Sequence, residues 1–304
     1  KLNIGKIMAD KFIKAITKNK YFRTFAINGT NLVHQAAQIH ETSRIAAVVL
    51  GRGLLATTLT AQAVLKGEET LSTKINGRGP IGNVVVESDA KGSVRGYVTN
   101  PNLETLINEA GQLDVAKAVG KNGFLQVTKF APYSDPYIGQ SQLVSGEIGD
   151  DFTYYLAQSE QTPSVIGVSV YMNSDDTVAG AGGFLVQALP DATDEAIDQL
   201  EVALKNMKPL SEMIQERYTP LEVLEEIFGK GEVEILQTAG IGLAAEPSKD
   251  AYAKMLLTLP ASEIQAMIKE DHGAEIVGKF SGKRYFFTEE QLSEILKQIE
   301  KNNE

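Results

Sequence analysis

Apolar and polar residues alternate along 11–17 and again along 21–28, either side of Lys18-Asn19-Lys20, and this period of two predicts a pair of strands joined by a short turn. The period then lengthens. Thr30 is placed to cap a helix reaching about residue 40, and Ser43 a longer one reaching about residue 66, with Gly67 as its stop. Short segments rich in β-branched residues follow at 70–76, 83–88, 93–99 and 124–129, divided by Gly and Asn turns. A helix at about 150–159 and two long strands at 164–172 and 177–189 complete this part. Helices interspersed among strands, without regular β-α alternation, predict an α+β architecture around a mixed or antiparallel sheet.

After Pro190 the pattern becomes helical, at about 194–207, 210–215 and 220–228. In the last of these, Leu221, Leu224, Ile227 and Phe228 fall on one face, which the first unit is expected to cover. A polar, Gly/Ala-rich stretch at 237–248 leads into helices at 249–257 and 261–269, strands at 274–277 and 284–287, and a final helix from Thr288. Thr288 with Gln291 makes a capping-box pattern. The expected division is a core over 1–190, a helical linker over 191–236 and a small α+β unit over 237–304.

The composition is that of a globular chain: 304 residues, 43 % hydrophobic and 22 % charged. Residues 1–190 hold 16 acidic and 17 basic side chains, net +1, whereas 191–304 hold 23 and 12, net −11, so the last part of the chain carries the whole of the net charge of −10. That balance argues against a nucleic-acid or membrane partner, both of which need clustered positive charge, and leaves open only a local basic patch. The apolar stretch 45–65 is interrupted by Arg52 and by four uncharged polar residues, and reads as a buried helix rather than a membrane span. Residues 1–7 lack the apolar run and cleavage site of a secretory leader and read as upstream of a natural start at Met8; the expected location is cytoplasmic.

Chemistry is sparse. The chain has no cysteine, which removes thiolate zinc sites, nucleophilic cysteines and disulfide switching. Its histidines are His34, His40 and His272; the first two are six apart on one predicted helix, off the spacing of a metal pair, and no Gly-x-Ser-x-Gly elbow accompanies them. Gly77-Arg78-Gly79-Pro80-Ile81-Gly82 fits a bare G-x-G-x-x-G, but Pro80 and the strand that follows contradict a phosphate loop, which needs a helix start. Gly180-Ala181-Gly182-Gly183 lies in a predicted strand, where glycine marks close backbone approach. Glu147, Asp150 and Asp151 offer three carboxylates for metal or acid–base work, but the two aspartates also suit a helix N-terminus, and that reading is preferred. No catalytic constellation is found, and no enzyme is expected.

Several blocks, in order, resemble the thirty-three-kilodalton chaperonin family, the bacterial redox-regulated heat-shock holdases. They include Val33 to His40 with Leu50-Gly51-Arg52, Lys66-Gly67-Glu68-Glu69, Gly79-Pro80-Ile81-Gly82, and Lys91 to Pro101. Leu113 to Gly120, Ser145 to Leu156, Ser159 to Ser164, Ala181 to Phe184 and Ile268 to Glu275 continue the match, which spans essentially everything after Met8.

The resemblance implies a core that forms a homodimer, a helical linker, and a terminal unit holding zinc through Cys-x-Cys and Cys-x-x-Cys; on oxidation the zinc leaves and the linker unfolds to expose apolar surface. Here the four ligand positions align with Ala245, Pro247, Gly278 and Ser281, so no zinc or other cofactor is expected. The terminal unit must then fold on its own core, for which Leu256, Leu259, Ile264, Met267, Ile268, Val277, Phe280, Tyr285, Phe286 and Phe287 are candidates. The implied function is an ATP-independent holdase for unfolding proteins, constitutive or thermally controlled, with Leu221, Leu224, Ile227 and Phe228 as client-contact candidates. The alternative is a structural or interaction protein that keeps the fold without chaperone activity.

Overall fold

Strand β1 (Lys11–Thr17) turns back into β2 (Phe22–Asn28) through Lys20, which takes a left-handed φ of 59°. The structure is a computed structural model describing residues 9–245 and 247–302, so the expectation for 1–7 lies outside the described residues. Helices α1 (Thr30–Ile39) and α2 (Arg44–Val64) are followed by β3 (Thr70–Asn76), β4 (Val84–Asp89), β5 (Ser93–Val98), α3 (Val115–Val119), β6 (Phe124–Phe130) and β7 (Tyr137–Gln142). Next come α4 (Gly149–Ser159), β8 (Ser164–Met172), β9 (Val178–Ala188), α5 (Asp194–Asn206), α6 (Leu210–Gln215), α7 (Pro220–Phe228), β10 (Val233–Gly240) and β11 (Gly242–Leu243). A compact unit ends at Ala244 and a second begins at Ala245, comprising α8 (Lys249–Leu256), α9 (Ala261–Lys269), β12 (Gly273–Val277), β13 (Arg284–Thr288) and α10 (Glu289–Asn302).

The first unit has a five-stranded sheet ordered β10-β1-β2-β9-β8 and a six-stranded sheet ordered β11-β5-β4-β3-β6-β7. All the pairings are antiparallel except β11 with β5, so the α+β expectation with a mixed or antiparallel sheet holds. Helix α2 packs on strands of both sheets, and 16 of its 21 residues are buried. It is long and apolar enough to cross a membrane, yet 89 % of its most apolar window is buried inside the protein, as a core helix is. Its threonines sit there at little cost, because Thr58 and Thr60 donate to the carbonyls of Leu54 and Ala56, one turn back, and Thr57 shares a 2.7 Å hydrogen bond with Thr73.

Ser43 caps α2 as expected, its side chain accepting from Ala46 N–H. Thr30 does not cap α1. It is the first helical residue after Gly29, and the free N–H groups of Asn31 and Leu32 are taken instead by the carboxylate of Asp10, at 3.0 and 2.6 Å. A buried acid at the head of β1 thus does the work assigned to a local hydroxyl.

Strand β7, strands β10 and β11 and helix α3 have no counterpart in the sequence reading. Segment 237–244, assigned there to the terminal unit, instead ends β10 and forms β11 inside the first unit, and the helices of 191–236 pack in that same unit. β10 hydrogen-bonds to β1 on one side only. A bulge between the Lys14–Gln237 and Ala15–Ile235 pairs leaves Leu236 unopposed, and this residue stays 54 % exposed.

The terminal unit has a small core of Leu256, Ile264, Phe287, Leu292, Ile295 and Ile299. Leu259, Met267, Ile268 and Tyr285 pack against it as expected, but Val277 and Phe286 are 49 % and 62 % exposed and Phe280 is not part of it. On a two-stranded ribbon one face meets the helices and the other meets water, so Phe287 buries and its neighbour Phe286 cannot. The last helix supplies what those positions do not, entered through the predicted pair of hydrogen bonds between Thr288 and Gln291.

Candidate functional site

Helices α5, α6 and α7 lie on the face of the five-stranded sheet that α2 does not cover. Each begins on local chemistry: Thr193 accepts from Ala196 N–H, Pro209 precedes α6, and α7 opens with Pro220 inside a reciprocal Thr219–Glu222 box. The same box holds the Glu222 carboxyl below its ordinary pKa, because the Thr219 N–H and hydroxyl favour the charged form.

Along α7 the predicted face is the one that packs. Leu224 and Ile227 are buried and Leu221 and Phe228 half-buried, with Val223, not singled out from the sequence, also buried beside them. Beneath lie Ile13 and Ala15 of β1, Phe22 and Ala26 of β2, and Phe184 and Val186 of β9. Phe12, Phe25 and Ile27, which alternate with them, belong to the other cluster around α2. Period-two alternation therefore gives this sheet two apolar faces, one under α2 and one under α5–α7. Two of those helices are lightly held, since Ala196 is the one buried residue described in α5 and Met213 the one in α6, whereas α7 buries Val223, Leu224 and Ile227. Gly180 and Gly182 serve this packing: a Cβ at Gly180 would stand 2.6 Å from Ile214 of α6 and one at Gly182 2.8 Å from the Ile27 carbonyl oxygen, so the glycine run is a close-approach feature.

The candidate carboxylates do not converge. Asp151 is fully buried and accepts backbone N–H groups from Val144, Ser145, Gly146 and Ile148 at 2.7 to 3.3 Å, fastening the loop before α4. Glu147 is ion-paired with Arg52, and Asp150 faces solvent in the first turn of α4. Gly77 and Gly79 meet backbone rather than a ligand, since a Cβ on either would lie within 2.3 Å of a carbonyl oxygen of Gly120 or Ala118. His34 lies along α1 and His40 at its C-terminal end.

In the terminal unit, the four positions aligned with zinc ligands carry no donor a zinc ion prefers. Gly278 N–H bonds the Lys283 carbonyl, Gly282 N–H returns to Gly278, and Ser281 Oγ accepts from Lys283 N–H, which closes a tight turn. Pro247 accepts the Tyr285 hydroxyl at 2.9 Å, while the Tyr285 ring lies 4.8 Å from that of Tyr252. Among the described residues no group of three or more His, Cys, Asp or Glu side chains is placed to hold a metal. These residues do not fit a tetrahedral zinc.

Comparison with known proteins decides the ancestry. Residues 10–288 match the family model described as Hsp33 protein. The chain belongs to the Hsp33 family. It is 46 % identical over 289 residues to the 33 kDa chaperonin of Lactiplantibacillus plantarum, covering 95 % of this chain and 98 % of that one. It is 42 % identical over 296 residues to the 33 kDa chaperonin of a Geobacillus strain, covering 97 % and 100 %. The crystal structure of the Thermotoga maritima 33 kDa chaperonin, an Hsp33 homologue, is similar at a TM-score of 0.86 and 36 % identity, over 97 % of this chain and 99 % of that one. Membership of the Hsp33 family supports a chaperone function for the chain.

Proposed function

We propose that this protein is a non-enzymatic, ATP-independent holdase that captures unfolding proteins on the apolar sheet face beneath α5–α7. The observation that carries the reading is the separation of two apolar clusters on one sheet: the face holding Ile13, Phe22, Phe184 and Val186 is distinct from the core around α2, so lifting three short helices exposes it without dismantling the fold. Leu221, Leu224, Ile227 and Phe228 belong to the cover and become free apolar surface on the same event. The many carboxylates of α5–α7 keep the opened form soluble.

The working form is a cytoplasmic homodimer without bound zinc, as the family resemblance and the substituted ligand positions together support. With no thiol to oxidise, control is constitutive or thermal, through local opening of the least secured elements. The test is light scattering of a chemically denatured client diluted into the protein at room temperature and at heat-shock temperature, with and without peroxide. Suppression at either temperature, indifferent to peroxide, is expected. No suppression under any condition would replace this reading with an interaction protein that keeps the fold.

A further inference from the structure

The six-stranded sheet has one face against α2 and another that, among the described residues, no helix of the first unit covers in its middle strands. On that open face Lys74 of β3, Gln126 of β6 and Gln140 of β7 stand in one cross-strand row, because Lys74 pairs with Gln126 and Gln126 with Gln140. Asn76 and Phe124 form the next row on the same face, about 7 Å along the strands. Arg78 completes a cleft of 290 Å³ with these five and Gly123.

The chemistry of this cleft is selective. It has two cations, three amides, one phenyl ring that is 43 % exposed, and no carboxylate. Glu87, on the same sheet face, is held by Arg95 through two hydrogen bonds, and among the described residues no ion pair joins Lys74 or Arg78 to a carboxylate. Arg78 is presented by a fixed turn: its φ is 64°, its N–H bonds Asn76 Oδ1, and Asn76 Nδ2 bonds Asn83 Oδ1 at 2.8 Å. Cations recognise an anionic group, an exposed ring offers a stacking surface, and side-chain amides present donor and acceptor together, which suits the edge of a base. An acidic peptide would use the cations alone.

We propose that this cleft binds a nucleotide unit, its phosphate at Lys74 and Arg78, its base stacked on Phe124 and edged by Gln126 and Gln140. The chain-wide charge of −10 opposes general nucleic-acid affinity but does not bear on a local cleft in a region whose acids and bases nearly balance.

The experiment measures fluorescence anisotropy of a labelled single-stranded oligoadenylate with the full chain across a salt series, with unlabelled oligoadenylate, adenosine monophosphate, inorganic tripolyphosphate and a polyglutamate peptide as competitors. Saturable binding is expected. Lys74→Ala with Arg78→Ala should weaken it at least tenfold and lower the salt slope by about 1.4, the loss of two phosphate contacts on a single strand. Phe124→Ala should weaken it about tenfold without changing that slope. Displacement by the monophosphate assigns a free nucleotide; displacement by unlabelled oligomer alone assigns a strand, and both support the cleft. Absence of binding, indifference to Phe124→Ala, or equal competition by tripolyphosphate or polyglutamate would overturn it. All three side chains are exposed, so unchanged circular dichroism and client protection serve as controls for folding.

Discussion

The ring of Phe228, the last residue of α7, lies 5.8 Å from the ring of Phe22 at the head of β2, inclined at 36°. The pair joins the covering helices to the sheet face they hide. Phe228→Ala removes a half-buried ring and its aromatic partner contact, together about 2 kcal/mol. The expected result is client protection at a lower temperature, with the main unfolding transition little changed, read by scattering and by near-ultraviolet circular dichroism. If the onset of protection did not move, these helices would not be the gate.

Asp10 and α1 give a pH prediction of unusual sign. Burial raises the Asp10 carboxyl above its ordinary value of 3.8, outweighing the N–H groups of Asn31 and Leu32 that lower it. An acid whose folded pKa exceeds its unfolded one contributes stability that is complete below the unfolded value and is lost as pH rises through the folded value. The stability of the protein relative to Asp10→Asn should therefore grow as pH falls into the carboxylate range, as urea unfolding at a series of pH values would record. A difference that shrank on acidification would contradict the burial argument.

Asp151 is a fastening, not a catalyst. Four backbone N–H groups converge on it, and Asp151→Ala would leave them buried without an acceptor, at a cost of about 3 kcal/mol or more. A lowered thermal midpoint is expected, together with faster amide exchange at 144–148. Added magnesium or calcium should leave the midpoint of the unaltered protein where it was.

The terminal unit is expected to stand without metal. Chelators and added zinc should not shift its melting, whereas Ile264→Ala should cost about 2–5 kcal/mol and Tyr285→Phe, which keeps the ring against Tyr252 but frees the Pro247 carbonyl, about 1 kcal/mol. Calorimetry with and without chelator tests this directly. Stabilisation by zinc would show that ligands other than thiolates have been recruited.

Much of this protein was legible in its sequence because the signals are local. The 3.6-residue spacing of Leu221, Leu224 and Ile227 identifies the packing face of α7, and period-two alternation marks β1 and β2, with no knowledge of what covers them. The absence of cysteine likewise settles that sulfur ligation and disulfide switching are closed to this chain. Other features carry no local signal. β10 is exposed along nearly its whole length and is a strand only because β1 lends it hydrogen bonds from more than two hundred residues away. Asp10 caps a helix beginning twenty residues later, and the Lys74, Gln126 and Gln140 row exists only where β3 is brought into register with the β6–β7 pair some fifty residues further on. Periodicity reports which side of an element is apolar, whereas partners across a sheet are chosen by the global pairing that satisfies every buried backbone group at once, and that choice belongs to the tertiary structure.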